Sequence, residues 1–149
     1  MQEGGTSLLM FGGVIGYLDM ASSGWDETGL GQWVVMTLRG DTNTRIVCGY
    51  NPCGNDKPNS GTVYHQHQWY WLGKQRCATC PRIKFREDLI SQLKQEWREE
   101  GDKLIVWCLD ANKNVYRKAI GKALTSVDGL AMKEVVGEFT GTPIGLTYF

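Results

Sequence analysis

The feature that most constrains the fold is an apolar residue at every fourth position through Phe85, Leu89, Leu93 and Trp97. That spacing draws one stripe down a helix, which buries its apolar side against something flat or grooved. Pro81 suits the first helical position and Gly101 the position just past the end, so the helix is predicted over Pro81 to Glu100. An apolar run, Lys103 to Leu109, follows at once and reads as a buried strand. A helix handing directly to an apolar strand calls for a layered α/β fold, a sheet covered by helices.

The first half of the chain reads as strands and turns. Ser7 to Phe11 and Val14 to Leu18 flank Gly12-Gly13, a two-residue hairpin signal. Ala21 to Gly31 is rich in Ser, Gly, Asp and Thr and reads as a loop. Trp33 to Leu38 and Thr44 to Tyr50 flank Arg39-Gly40-Asp41-Thr42-Asn43, which predicts a second hairpin. Asn51 to Gly61 is loop, and Val63 to Leu72 a short, aromatic-rich helix. Further on, Tyr116 to Leu124 and Met132 to Phe139 read as helices.

Composition excludes several classes. With 42% hydrophobic residues and no net charge, the 149-residue chain is the opposite of a disordered segment and can bury a core of its own. Lys+Arg and Asp+Glu both number 16, so attraction to an anionic partner has to come from local clustering. The apolar run from Ser7 to Leu18 is too short to span a bilayer and has no basic residue before it, so an intracellular location without membrane contact is expected. Five cysteines, an odd number in a domain of this size, favour reduced thiols. Cys48 and Cys108 lie in apolar runs and read as core fillers.

Chemistry gathers where strands end. The run Leu104 to Leu109 emerges into Asp110-Ala111-Asn112, where a carboxylate can serve a hard cation or a water and an amide can orient a phosphate without adding charge. The alternative is a simple turn. The earlier strand ends in Tyr50-Asn51-Pro52, placing a phenol at the end of the sheet as a hydrogen-bond donor. Taken together, Tyr50-Asn51-Pro52 and Leu109-Asp110-Ala111-Asn112, with Thr28-Gly29-Leu30-Gly31-Gln32-Trp33, Leu38-Arg39-Gly40 and Pro81-Arg82 leading through Phe85 and Asp88-Leu89, resemble the endonuclease/exonuclease/phosphatase, or DNase I-like, superfamily. The resemblance runs from Gly4 onwards and covers the central portion of such a domain. It implies a DNase I-like α/β sandwich, truncated or minimal, with a mixed, largely antiparallel sheet and covering helices. It also implies a Mg²⁺- or Mn²⁺-dependent phosphodiesterase, most simply an endonuclease. In that reading Asp110 ligates metal or activates water, Asn112 orients the phosphate, and Tyr50 bonds a phosphate oxygen. Leu109 stands where the family carries Gly. The family's metal-binding Glu and its downstream Asp and Asp-His pair have no counterpart in the match, and a sheet lacking flanking strands predicts a homo-oligomer or a partner chain on its open edges.

Two further groups bear on partners. Lys74 and Arg76 open a run continuing through Arg82, Lys84 and Arg86 with no acid between, beside the aromatics Trp69, Tyr70 and Trp71. Lys113, Arg117 and Lys118 follow Asp110. Basic residues with nearby aromatics suit a nucleic-acid backbone and its bases, and the alternative is a solvated helix face. Cys77-Ala78-Thr79-Cys80 has half the spacing of a zinc site, which His65 and His67 could complete. Beside the phosphodiesterase reading stand two others: a catalytically inactive nucleic-acid-binding or interaction domain of the same fold, and a small Zn²⁺-binding nuclease or nucleic-acid binder.

Overall fold

A computed structural model describes residues 5–54, 61–75, 80–99 and 104–110. Among them lie four strands, β1 (Leu18–Trp25), β2 (Trp33–Leu38), β3 (Thr44–Tyr50) and β4 (Leu104–Asp110), and two helices, α1 (Val63–Gln75) and α2 (Pro81–Glu99). The strands form one sheet in the order β1-β2-β3-β4. β1 to β3 run antiparallel, while β4 returns through both helices to lie parallel to β3. The chain is therefore mixed α/β. A parallel neighbour needs a long crossover, and α1 and α2 provide it.

The α2 stripe finds its partner on one face of the sheet. Phe85, Leu89 and Leu93 are fully buried against Trp33 and Val35 of β2 and Val47 of β3, with Ile105, Trp107 and Leu109 of β4 packed alongside. The Phe85 and Trp33 rings meet edge to face, with centroids 6.1 Å apart, a preferred aromatic geometry. Alternation along the strands sends the intervening residues to the other face. Register pairs Val34 with Cys48 and Met36 with Ile46, and then Ile46 with Val106 and Cys48 with Cys108, in one continuous apolar surface.

Four expectations are corrected by the structure. Gly12-Gly13 does not turn a hairpin: Gly12–Tyr17 forms a short 3₁₀ segment with Val14, Ile15 and Tyr17 exposed. A glycine pair permits many conformations, and these side chains bury nothing that would hold a strand pair together. The first part of the Ser- and Gly-rich stretch, Ala21 to Trp25, is instead the end of strand β1, which carries an irregularity between Asp19 and Gly24, while residues 26–31 form the expected loop. Polar side chains make good the interrupted ladder. The Ser23 hydroxyl donates to the Asp19 carbonyl at 2.7 Å and accepts from the Thr37 N–H at 3.1 Å, while the Ser22 carbonyl accepts from the Thr37 hydroxyl at 2.9 Å and from Arg45 at 2.8 Å. A bulge with side-chain bonds makes a strand from turn-like residues.

β4 is not buried on both faces. Its residues alternate between half-buried and exposed, with Leu104 55% and Val106 41% exposed, because α2 packs on the face carrying Ile105, Trp107 and Leu109 and these two residues point the other way. Cys48 and Cys108 are for the same reason not core fillers: both face away from α2, Cys48 half-buried and Cys108 exposed. The second hairpin lies where its turn residues place it, and α1 extends to Gln75. The expected helices at Tyr116 to Leu124 and Met132 to Phe139 lie outside the described residues.

Candidate functional site at the end of the β3–β4 pair

The parallel register sets Tyr50 directly opposite Asp110, the last residues of their strands. The Asn51 N–H donates to the Asp110 carbonyl at 2.9 Å, carrying the ladder one step beyond the pair. Two side chains far apart in the chain are thus locked side by side by backbone hydrogen bonds. Asp110 is exposed and Tyr50 half-buried. Burial first, and then the neighbouring Cys53, raise the Tyr50 phenol above its ordinary range, and the Asp110 carboxylate pushes the same way. The hydroxyl therefore keeps its proton at neutral pH and acts as a donor, as binding a phosphate oxygen requires.

Behind this pair sits a polar support that sequence reasoning passed over. Asp26 is buried, and its carboxylate accepts from the Gln32 N–H at 2.8 Å, the Leu30 N–H at 3.3 Å and the Thr28 hydroxyl. Gly29 and Gly31, at φ +71° and +68°, let the chain coil around that carboxylate. The loop then presents two carbonyls. That of Gln32 accepts from the Tyr50 N–H at 2.9 Å, and that of Leu30 lies 3.3 Å from Nε2 of the buried His67 on α1. A carbonyl can only accept, so Nε2 carries the proton. Burial holds the His67 imidazole below its usual range, although the Leu30 carbonyl and the Asp26 charge favour protonation. The recognisable signal for Asp26 was an acid two residues before Thr28-Gly29-Leu30-Gly31, the pattern of a side chain bonding its own backbone.

Close packing completes the platform. A Cβ added at Gly49 would stand 3.3 Å from Leu109 Cδ1 and 3.5 Å from Phe85 Cζ. Leu109 therefore fills the space over Gly49, one residue before both Tyr50 and Asp110. Pro52 is fully buried, and the Arg82 side chain lies against the backbone of the same loop, its Nη1 3.3 Å from a Cβ built at Gly54. Arg82 is thus a cation near the end of β3 that its place in a longer basic run concealed.

The other expected residues are more scattered. Lys74 is exposed in the last turn of α1, its ammonium 5.9 Å from the Tyr70 ring centroid. Lys84 pairs with Asp88 one turn on and stacks over Trp71 at 5.1 Å, which commits its charge locally. His65 and His67 stand two positions apart on a helix, roughly 200° around it, so their rings diverge. Each already has a partner: His65 Nδ1 lies 3.0 Å from the Thr62 hydroxyl, and His67 meets Leu30. The Cys80 thiol lies 3.6 Å from the Tyr64 hydroxyl, and the Tyr64 bond and the N–H groups opening α2 hold it below its ordinary range despite burial. Among the described residues no group of three or more His, Cys, Asp or Glu side chains could hold a metal ion. Asn112, Arg76, Lys113, Arg117, Lys118 and Cys77 lie outside the described residues. None of the described helices is long and apolar enough to cross a membrane.

No family model matches the chain, and no match is found among the curated proteins or the solved structures.

Proposed function

We propose that the chain is a metal-dependent phosphodiesterase of DNase I-like type acting on nucleic acid. The observation that carries the reading is the Tyr50–Asp110 alignment at the end of two parallel strands, with Asn112 two residues beyond. Ligand sites of α/β sheets gather beyond the carboxyl ends of strands, where the sheet fixes the backbone and the loops leave side chains free. The finer architecture, one sheet of a sandwich, draws support from a sheet with α2 packed on one face and an apolar surface on the other.

The donor chemistry at this edge fits a hard cation. Asp110 offers exposed carboxylate oxygens, and Mg²⁺ or Mn²⁺ accepts one or two protein carboxylates with water completing the shell. When bound, such an ion polarises a phosphoryl oxygen and acidifies a water. The chain's own part is to hold the Tyr50 hydroxyl as a neutral donor toward a phosphate oxygen and the Asp110 carboxylate beside it. Trp69, 53% exposed on α1, and Lys74 further along the same helix supply a stacking surface and a charge suited to a nucleic-acid strand.

Plasmid relaxation with Mn²⁺ tests the proposal, using the parent, Asp110→Asn, Asn112→Ala and Tyr50→Phe. Cleavage by the parent that disappears in Asp110→Asn and Asn112→Ala, and drops about tenfold or more in Tyr50→Phe, is the expected result. Equal cleavage by the parent and Asp110→Asn would sink it. A second reading, a binding domain of the same fold without catalysis, rests on Asp110 being a single carboxylate opposite Tyr50. Salt-sensitive plasmid binding with no cleavage under any divalent cation would select it. Stoichiometric zinc in protein purified without chelator would select the His65, His67, Cys77 and Cys80 reading instead.

A further inference from the structure

Cys48 and Cys108 are Cα partners in the β3–β4 register. Both thiols are free, both project from the face opposite α2, and Cys108 is exposed there. Burial first, and then the neighbouring Cys108, raise the Cys48 thiol above its ordinary range. Adjacent strands lie about 4.8 Å apart, inside the Cα separation of about 4.4–6.8 Å that a disulfide spans. Side chains stand nearly perpendicular to a sheet, so the two Cβ atoms begin near the same 4.8 Å, whereas a relaxed disulfide holds them at about 3.5–4.5 Å. A bond at this position can form, and it draws the two strands together when it does. Disulfides under such tension are readily reduced, which separates switches from permanent staples.

We propose that Cys48 and Cys108 form a reversible, redox-active dithiol that closes across β3 and β4 by exchange with a low-molecular-weight disulfide such as oxidised glutathione. The exposed Cys108 thiolate attacks one sulfur of the oxidant, forming a mixed disulfide and releasing one glutathione thiolate. Cys48, having given up its proton to solvent, then attacks the Cys108 sulfur and expels the second. The protein dithiol is oxidised by two electrons, the oxidant is reduced to two thiols, and the protons from the protein end on them. The pair sits two residues before Tyr50 and Asp110 on the same face of the same strands, roughly 7 Å along the sheet. Closing it tightens the strand gap beside those side chains. The dithiol chemistry stands apart from the phosphodiesterase reading, and only its consequence for binding at Asp110 rests on that reading.

The test is peptide mapping of the full chain after incubation with oxidised glutathione and digestion without reductant. The expected product is a peptide containing Cys48 joined to one containing Cys108, with two hydrogens lost from the intact mass and both thiols recovered in excess reduced glutathione. The Cys48→Ser variant lacks the resolving thiol and should accumulate one glutathione on Cys108. Links confined to Cys53, Cys77 or Cys80, independent glutathione adducts on Cys48 and Cys108 of the parent, or no adduct on Cys108 in Cys48→Ser would each overturn the proposal. No activity assay enters this test, so its failure and failure of the phosphodiesterase reading are separate events.

Discussion

Gly49→Ala tests the packing that holds the candidate site. The backbone at Gly49 is not in the left-handed region, which among the described glycines is reserved for Gly12, Gly29, Gly31 and Gly61. Alanine is therefore allowed by the chain, and restricting the unfolded state would by itself stabilise the fold by about 0.4–1 kcal/mol. Against this, the new methyl would meet Leu109 Cδ1 at 3.3 Å, Phe85 Cζ at 3.5 Å and the Gln32 carbonyl oxygen at 3.7 Å. The last two are ordinary contacts. Only the first demands movement, and Leu109 is hemmed in by the core against which it packs. Overfilling a packed site costs about 1–3 kcal/mol, so the net effect expected is a loss of about 1 kcal/mol. Leu109→Val deletes the offending methyl. In that background Gly49→Ala should become neutral or mildly stabilising, a coupling of about 1–2 kcal/mol. Urea unfolding of the four proteins of this cycle, followed by tryptophan fluorescence, measures it. Additivity within about 0.5 kcal/mol would show that Leu109 does not lean on Gly49, and the account of how β3 and β4 are held in register beneath Tyr50 and Asp110 would be wrong.

Three other outcomes follow from the same structure. Phe85→Ala empties the centre of the contact between α2 and the sheet and should cost about 3–5 kcal/mol in urea unfolding; a loss below about 1 kcal/mol would mean that α2 does not pack as described. His67 is held below its usual imidazole range by burial, so the unfolded chain binds the proton more readily and stability falls as pH drops through about 6.5 toward the folded value. His67→Gln keeps a donor for the Leu30 carbonyl, and its urea midpoint should vary less than the parent's over that window; identical profiles would refute the assignment. The sheet face opposite α2 leaves Trp25 77% exposed and Leu104 and Val106 partly open, so light scattering should report at least two chains per particle, and a monodisperse monomer at micromolar concentration would argue against self-association.

The elements legible in the sequence are those whose signals are local. The fourfold period through Phe85, Leu89 and Leu93 specifies α2 and its buried stripe, because helix geometry brings those positions onto one line wherever the helix sits. Likewise, the Trp33–Leu38 and Thr44–Tyr50 runs specify a hairpin, because their turn lies between them. β1 was hidden because its residues favour turns one at a time, and only the bonds from Thr37 and Arg45 to Ser22 and Ser23 make it a strand. The apolar run of β4 said nothing about which of its faces is covered. That depended on α2 and the core lying on one side of the sheet, and it moved Cys48 and Cys108 from the expected core to an open face. Tyr50 and Asp110 could each be suspected from the end of a strand. Their juxtaposition could not be read from either segment, since it depends on a parallel register set after α1 and α2 have carried the chain back. Local geometry is written into short stretches of chain, while the meeting of distant side chains is decided by which strand edges pair, a choice made by the whole packed sheet.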